Sequence, residues 1–158
     1  MRNRWAAGLA VILLTAPHGA AGDGDAILRI TGNVTGGAVA FDLDDLHDLP
    51  RVTLETSTVV TDGIHRFTGV LMRDLLAGVE ADGDTVTATA LNDYAVDIPV
   101  ADFRDYDVIV AYAMDGTPLD RADKGPLWIV YPRDDHTALQ DIRYDYRWVW
   151  QLARLDIR

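Results

Sequence analysis

The residues best suited to chemistry crowd the C-terminal end of this chain. Tyr144, Tyr146, Trp148 and Trp150 alternate with Asp145, Arg147, Val149 and Gln151. Read as a strand, this spacing places four aromatic rings on one face with Arg147 on the other, more ring surface than a small core needs. Core packing is the ordinary fate of such a stripe, and it is the reading adopted for Tyr144 and for Trp128. Two further polar clusters stand out: Asn92-Asp93-Tyr94, and Thr53-Leu54-Glu55-Thr56-Ser57-Thr58. Asp in a turn is normally turn chemistry, with Asn92 as a left-handed residue, and Glu55, Thr56 and Ser57 would otherwise be an ordinary polar strand end.

Other chemistries are excluded by what the chain lacks. It has no cysteine, which rules out disulfides, zinc–thiolate sites and iron–sulfur clusters. The 4 histidines are scattered, with no i, i+4 pair of the kind a helical metal site uses, so no metal site is expected. Ser57 is the sole serine and stands outside any Gly-x-Ser-x-Gly context, which argues against a serine hydrolase. No Walker-type or dinucleotide-type glycine loop is present.

The elements that must position these residues are short. Ile27 to Ile30 and Val39 to Leu43 read as strands, and Asp44 to Leu49 as one helical turn stopped by Pro50. Arg51 to Val60 is rich in β-branched residues and reads as a strand, closed by a turn at Thr61-Asp62-Gly63. Apolar positions 71, 72, 75, 76 and 79 predict a helix over Thr68 to Leu76. Thr85 to Leu91 and Tyr94 to Ile98 form a hairpin about Asn92-Asp93, followed by a helical turn at Val100 to Arg104. Asp107 to Met114 is a buried strand ending in the Asp115-Gly116 turn. Leu127 to Tyr131 is another strand, and Tyr144 to Ile157 ends in strand. The fold class is α+β, mixed β-sheets with a few short helices.

The N-terminus orders a basic start at Arg2 and Arg4, an apolar run from Trp5 to Thr15, and small residues at Gly19 to Gly22. That order is the pattern of a secretory signal peptide over residues 1–22. The run is too short for a membrane anchor of about 20 residues. A mature domain over 26–158 is expected, soluble and exported to the periplasm. Cleavage near Ala21 removes two arginines, moving the formal charge from −11 to −13. Such a charge disfavours nucleic acid and anionic membrane surfaces and favours solubility.

Five segments in series resemble a known family. They are Phe67-Thr68-Gly69-Val70-Leu71-Met72-Arg73-Asp74-Leu75-Leu76, the hairpin Asn92-Asp93-Tyr94-Ala95-Val96-Asp97-Ile98-Pro99, and Ala111-Tyr112-Ala113-Met114-Asp115-Gly116-Thr117-Pro118-Leu119. Lys124 to Pro132 and Trp148 to Ile157 follow. In this order they resemble the oxidoreductase molybdopterin-binding domain of the sulfite-oxidase type. In the family's enzymes a cysteine after the early strand ligates molybdenum; the matching stretch, Thr53 to Thr58, has none. Molybdenum held in that way needs a soft sulfur donor, so the resemblance implies a relative that kept a pterin-shaped cleft without the redox centre.

It further implies similarity to small periplasmic pterin-binding proteins, which bind a tetrahydropterin-type ligand without catalysis. Their partner is a membrane-bound diguanylate cyclase or phosphodiesterase, regulated through its periplasmic domain. The alternative reading is a molybdenum-cofactor-dependent oxidoreductase with non-cysteine ligation. A pterin needs an aromatic face for stacking and a carboxylate or amide for its donor edge. On that basis the expected ligand contacts are Glu55, Thr56, Ser57, Asn92, Asp93, Tyr94, Arg147, Trp148 and Trp150. Trp150 or Trp148 would stack, and Arg147 would meet the ligand's polar tail.

Overall fold

A computed structural model describes residues 25–158; the expected signal peptide over 1–22 lies outside the described residues. Among the described residues ten strands form two sheets. One runs β2 (Ala38–Phe41), β1 (Leu28–Gly32), β10 (Leu152–Ile157), β5 (Thr85–Ala90), β6 (Ala95–Pro99). β1 and β10 are parallel and the other pairs antiparallel, so the sheet is mixed. The other sheet runs β3 (Arg51–Ser57), β4 (Ile64–Leu71), β7 (Ile109–Met114), β8 (Thr117–Pro118), with β9 (Trp128–Val130) also paired to β7. Three short helices, α1 (Leu43–Asp48), α2 (Met72–Gly78) and α3 (Val100–Asp105), fill the connections.

Both sheets contribute to one apolar core. β5 buries Val86, Ala88 and Ala90 and leaves the intervening threonines partly exposed, the alternation its sequence requires. β10 adds Leu152, Leu155 and Ile157. β7 and β9 are buried at every position from Ile109 to Tyr112 and from Trp128 to Val130, so the central strands of the second sheet read as continuous apolar runs.

Local chemistry explains most boundaries. Asp42 caps α1 by accepting from the Asp45 backbone N–H (2.8 Å), and the Asp45 carboxylate accepts from the Asp42 N–H (2.9 Å). The Asp115-Gly116 turn takes positive φ at both residues (52° and 80°), the conformation of a tight hairpin turn. β3 stops at Ser57, short of the Val60 expected, because the Thr58 hydroxyl accepts from the Val60 N–H (3.1 Å) and bonds the Thr61 hydroxyl (2.7 Å), turning the chain.

Two expectations are corrected. Thr68 to Leu71 is strand, not helix: β4 is paired on both edges, to β3 and β7, and those ladders extend it to Leu71. The helical spacing begins only at Met72, and Met72, Leu75, Leu76 and Val79 are buried as it predicts. Tyr144 to Gln151 is not strand either. A 3-10 helix covers Ile142–Arg147 and β10 begins at Leu152. Asp141 caps that helix by accepting from the Arg143 N–H (2.9 Å), while the Arg143 fork holds the Asp141 carboxyl down to about 2. The four rings therefore do not share a strand face.

The turn before β4 is pinned by His65. Its Nδ1 lies 2.7 Å from the Asp115 carboxylate and its Nε2 lies 2.9 Å from the Asp62 carbonyl. With acceptors on both sides, chiefly the Asp115 hydrogen bond, the imidazole is raised above its ordinary 6.5. Asp115 is held below its ordinary 3.8 by the Arg66 N–H and then His65. A raised histidine stabilises fully below its unfolded value and ceases to as pH rises through its folded value; a depressed carboxyl stabilises above its unfolded value and ceases to as pH falls. The melting temperature gap between the parent and His65→Asn is therefore expected to peak near about pH 5 and to narrow past neutrality. A gap independent of pH would remove the charge from this account. At Gly69 a Cβ would sit 2.1 Å from the Val110 carbonyl oxygen in the neighbouring strand. Gly69→Ala is expected to cost at least about 1–3 kcal/mol in urea unfolding.

Candidate functional site

The C-terminal segment crosses from one sheet to the other, and this crossing builds the site. The Ile129 N–H donates to the Val149 carbonyl (2.9 Å), the Leu152 N–H to the Leu127 carbonyl (2.9 Å), and the Leu91 N–H to the Gln151 carbonyl (2.9 Å). Trp150 is bridged to Trp128, and Gln151 takes a positive φ of 52° to make the bend into β10. Residues 148–152 are thus stitched to β9 on one side and to the end of β5 on the other.

Between this crossing and the β5–β6 hairpin lies a cleft of about 270 Å³, lined by Ala90, Asn92, Tyr94, Asp145, Tyr146, Trp148 and Trp150. Its floor is buried (Ala90, Trp148) and its rim is exposed (Tyr94 46%, Tyr146 47%, Trp150 39%). The Tyr94 hydroxyl donates to the Tyr146 carbonyl (3.1 Å), tying the hairpin to the 3-10 helix across the opening. One carboxylate faces this aromatic wall: Asp145. Its Oδ1 is buried without a partner in the protein, and so is the indole Nε1 of Trp148. Leaving such groups unpaired costs about 1–3 kcal/mol each.

Arg147 points the other way. Its guanidinium pairs with Asp102, which also accepts from the Tyr131 hydroxyl (2.8 Å), and the pair is largely out of water (15% and 9% side-chain exposure). The same guanidinium lies over the Tyr144 ring at 4.6 Å and the Tyr146 ring at 5.5 Å. Burial opposes its charge, but hydrogen bonds to Tyr146 and Asp102 outweigh this and keep it protonated. Burial, reinforced by the Asp102 carboxylate, pushes the Tyr131 phenol well above its usual range. Tyr131 in turn packs against Trp148, with centroids 6.0 Å apart.

The structure brings together four of the nine residues expected from sequence: Asn92, Tyr94, Trp148 and Trp150. Asn92 accepts from the Tyr94 N–H (3.1 Å), and the left-handed residue of the turn is Asp93 (φ 64°), not Asn92. Asp93 itself is exposed and pairs with Arg154 (3.1 Å), away from the cleft lining. Arg147 forms an internal support rather than the cleft lining. Glu55 accepts from Arg66 (2.9 Å) beside a broader, more open groove across β3 and β4. Thr56 is fully buried, and Ser57 is bound through both N–H and hydroxyl to Asp134 (2.6 Å each). Asp145 lines the cleft and is not among the nine; its signal in the sequence is a carboxylate flanked by two rings in the alternating run.

With this geometry in view, the family is clear. The chain belongs to the oxidoreductase molybdopterin binding domain family, whose model matches residues 23–134. Its fold is similar to that of the sulfane dehydrogenase SoxCD from Paracoccus pantotrophus, with TM-score 0.64 and 21% identity over 82% of this chain. The match covers 37% of that protein, so this chain spans little more than a third of its length. No curated protein matches this chain. By fold and family this is a domain of the molybdopterin-binding oxidoreductase type.

The residues present do not fit the family's metal centre as a thiolate site. The chain has no cysteine, and the Thr56 hydroxyl is engaged, accepting from the Asp134 N–H (3.2 Å) and donating to the Ser57 carbonyl (3.2 Å). Hard hydroxyl oxygens already committed to the protein do not replace a soft sulfur donor. Among the described residues no group of three His, Asp or Glu side chains converges as a metal site.

The support beneath the cleft is testable. Asp102→Ala leaves Arg147 charged and buried without its partner, and Tyr131 without its acceptor. Urea unfolding is expected to show a loss of about 3–5 kcal/mol, with Asp102→Asn losing less. Equal, small losses would show that the pair contributes little.

Proposed function

We propose that this chain is a non-catalytic pterin-binding domain, acting in the periplasm, that takes a tetrahydropterin-type ligand in the aromatic cleft. The carrying observation is a cleft in which one carboxylate, Asp145, stands beside Tyr146, Trp148 and Trp150. A pterin edge presents the 2-amino group and N3–H as parallel donors to a carboxylate, and the ring offers a flat face to indole and phenol. The volume of about 270 Å³ lies just below the range of sites for drug-sized ligands, roughly 300–1,000 Å³, which suits a bicyclic ring. The family is named for binding a pterin-based cofactor, and this chain has no cysteine to hold a metal through a thiolate. The resemblance to small periplasmic pterin-binding proteins extends the proposal to regulation, through a protein interface, of a membrane-bound enzyme that makes or degrades cyclic di-GMP.

Titration of the protein with tetrahydrobiopterin, followed by tryptophan fluorescence, tests the reading. Saturable quenching is expected. Asp145→Ala should weaken binding by about 1.5–3 kcal/mol, the range for a charged hydrogen bond, or roughly ten- to a hundredfold. Trp150→Ala should also weaken it, whereas Asp93→Ala should not. Flat titrations with oxidised and reduced pterins would defeat the idea. Stoichiometric molybdenum in protein from a cofactor-competent host would favour the oxidoreductase with non-cysteine ligation instead.

A further inference from the structure

The cleft-lining side chains comprise aromatic rings, one alanine, one amide and one carboxylate, with no lysine or arginine among them. The three arginines nearest in sequence are each paired, Arg143 with Asp141. Arg147 turns into the protein against Asp102, and Arg154 is paired with Asp93 at the hairpin tip. We infer that the cleft is a charge filter: it accepts a fused 2-amino-4-oxopyrimidine ring that carries no phosphate and rejects phosphorylated members of the same chemical class, including the phosphate-bearing cofactor for which the family is named. This rests on reading the cleft as a pterin site and adds the class of pterin it takes.

The physical argument has two parts. Phosphate sites are built from arginine forks, lysines or convergent backbone N–H groups, and this wall has no cationic side chain. Asp145 instead places a fixed negative charge where the ring edge must dock. A phosphate several Å from it, in surroundings of effective dielectric about 20, is disfavoured on the order of tenfold or more. The ring itself is favoured, because its donor edge suits the Asp145 carboxylate and its flat face suits the four rings of the lining. Guanine carries the same donor–acceptor edge and belongs to the accepted class as its nucleoside.

Matched pairs test the filter on the full chain at low salt. The probes are 7,8-dihydroneopterin against its triphosphate, and guanosine against guanosine monophosphate, each by isothermal titration. The phosphate-free member of each pair is expected to bind at least tenfold more tightly. That ratio should shrink as sodium chloride is raised, and it should shrink in Asp145→Asn even though that variant binds every probe more weakly. A change in ratio, unlike a change in affinity, is not produced by loosening the cleft. Equal or tighter binding of the phosphorylated members would overturn the filter and leave the pterin reading standing. No binding by dihydroneopterin, guanosine or tetrahydrobiopterin would overturn the pterin reading and the filter together.

Discussion

Arg147 and Asp102 meet where little water reaches, and the shape of the C-terminal end follows from that meeting. A charge of either sign left alone there would be costly, so the chain on both sides is constrained to keep them together. α3 is held to the 3-10 helix, Tyr131 adds a third member, and the faces of Tyr144 and Tyr146 close over the guanidinium. Because Asp145 and Tyr146 precede Arg147 and Trp148 follows it, turning Arg147 inward swings those neighbours to the cleft wall. The hydrogen bond from Tyr94 to the Tyr146 carbonyl then sets the distance between the two walls.

The cleft is consequently a composite. Ala90, Asn92 and Tyr94 come from the β5–β6 hairpin, inside the stretch that the family model matches, whereas Asp145, Tyr146, Trp148 and Trp150 lie beyond residue 134. The sheets supply a rigid frame through ladders that run the length of β4, β5 and β10. Near the position that would hold the metal in the family's enzymes, this chain instead spends its polar groups on itself. Ser57 clamps Asp134, Thr56 is buried, and Arg133 reaches the Ser57 hydroxyl (3.3 Å). The polar groups at that end are bound to one another, and the aromatic cleft lies at the other polar cluster.

Much of the fold was legible because its signals are local. The β5–β6 hairpin follows from strict alternation about Asn92-Asp93, the β7–β8 turn from Asp115-Gly116, and the stop after α1 from Pro50. The helix boundary at Met72 was not legible. Residues 68–71 carry helical spacing, but the strands on either side of β4 satisfy their backbone groups, and such pairing is invisible in a local window. The 3-10 helix failed for a similar reason: the alternation of Tyr144 to Gln151 imitates a strand, while the partner that overrides it, Asp102, is 45 residues away.

The candidate site divides along the same line. Residue types alone determined that the chain cannot ligate a metal through a thiolate and that its ring-rich segments are the hairpin tip and the C-terminal run. Which carboxylate, and which rings, line a cleft only the tertiary structure decided. Asp93 and Asp145 are indistinguishable by composition, each beside an aromatic residue. The first is spent at an exposed turn on Arg154, and the second is carried into the cleft because the neighbouring arginine is drawn inward by a buried opposite charge. Long-range ion pairing and sheet pairing are set by contacts between distant residues, and these form only when the chain is folded.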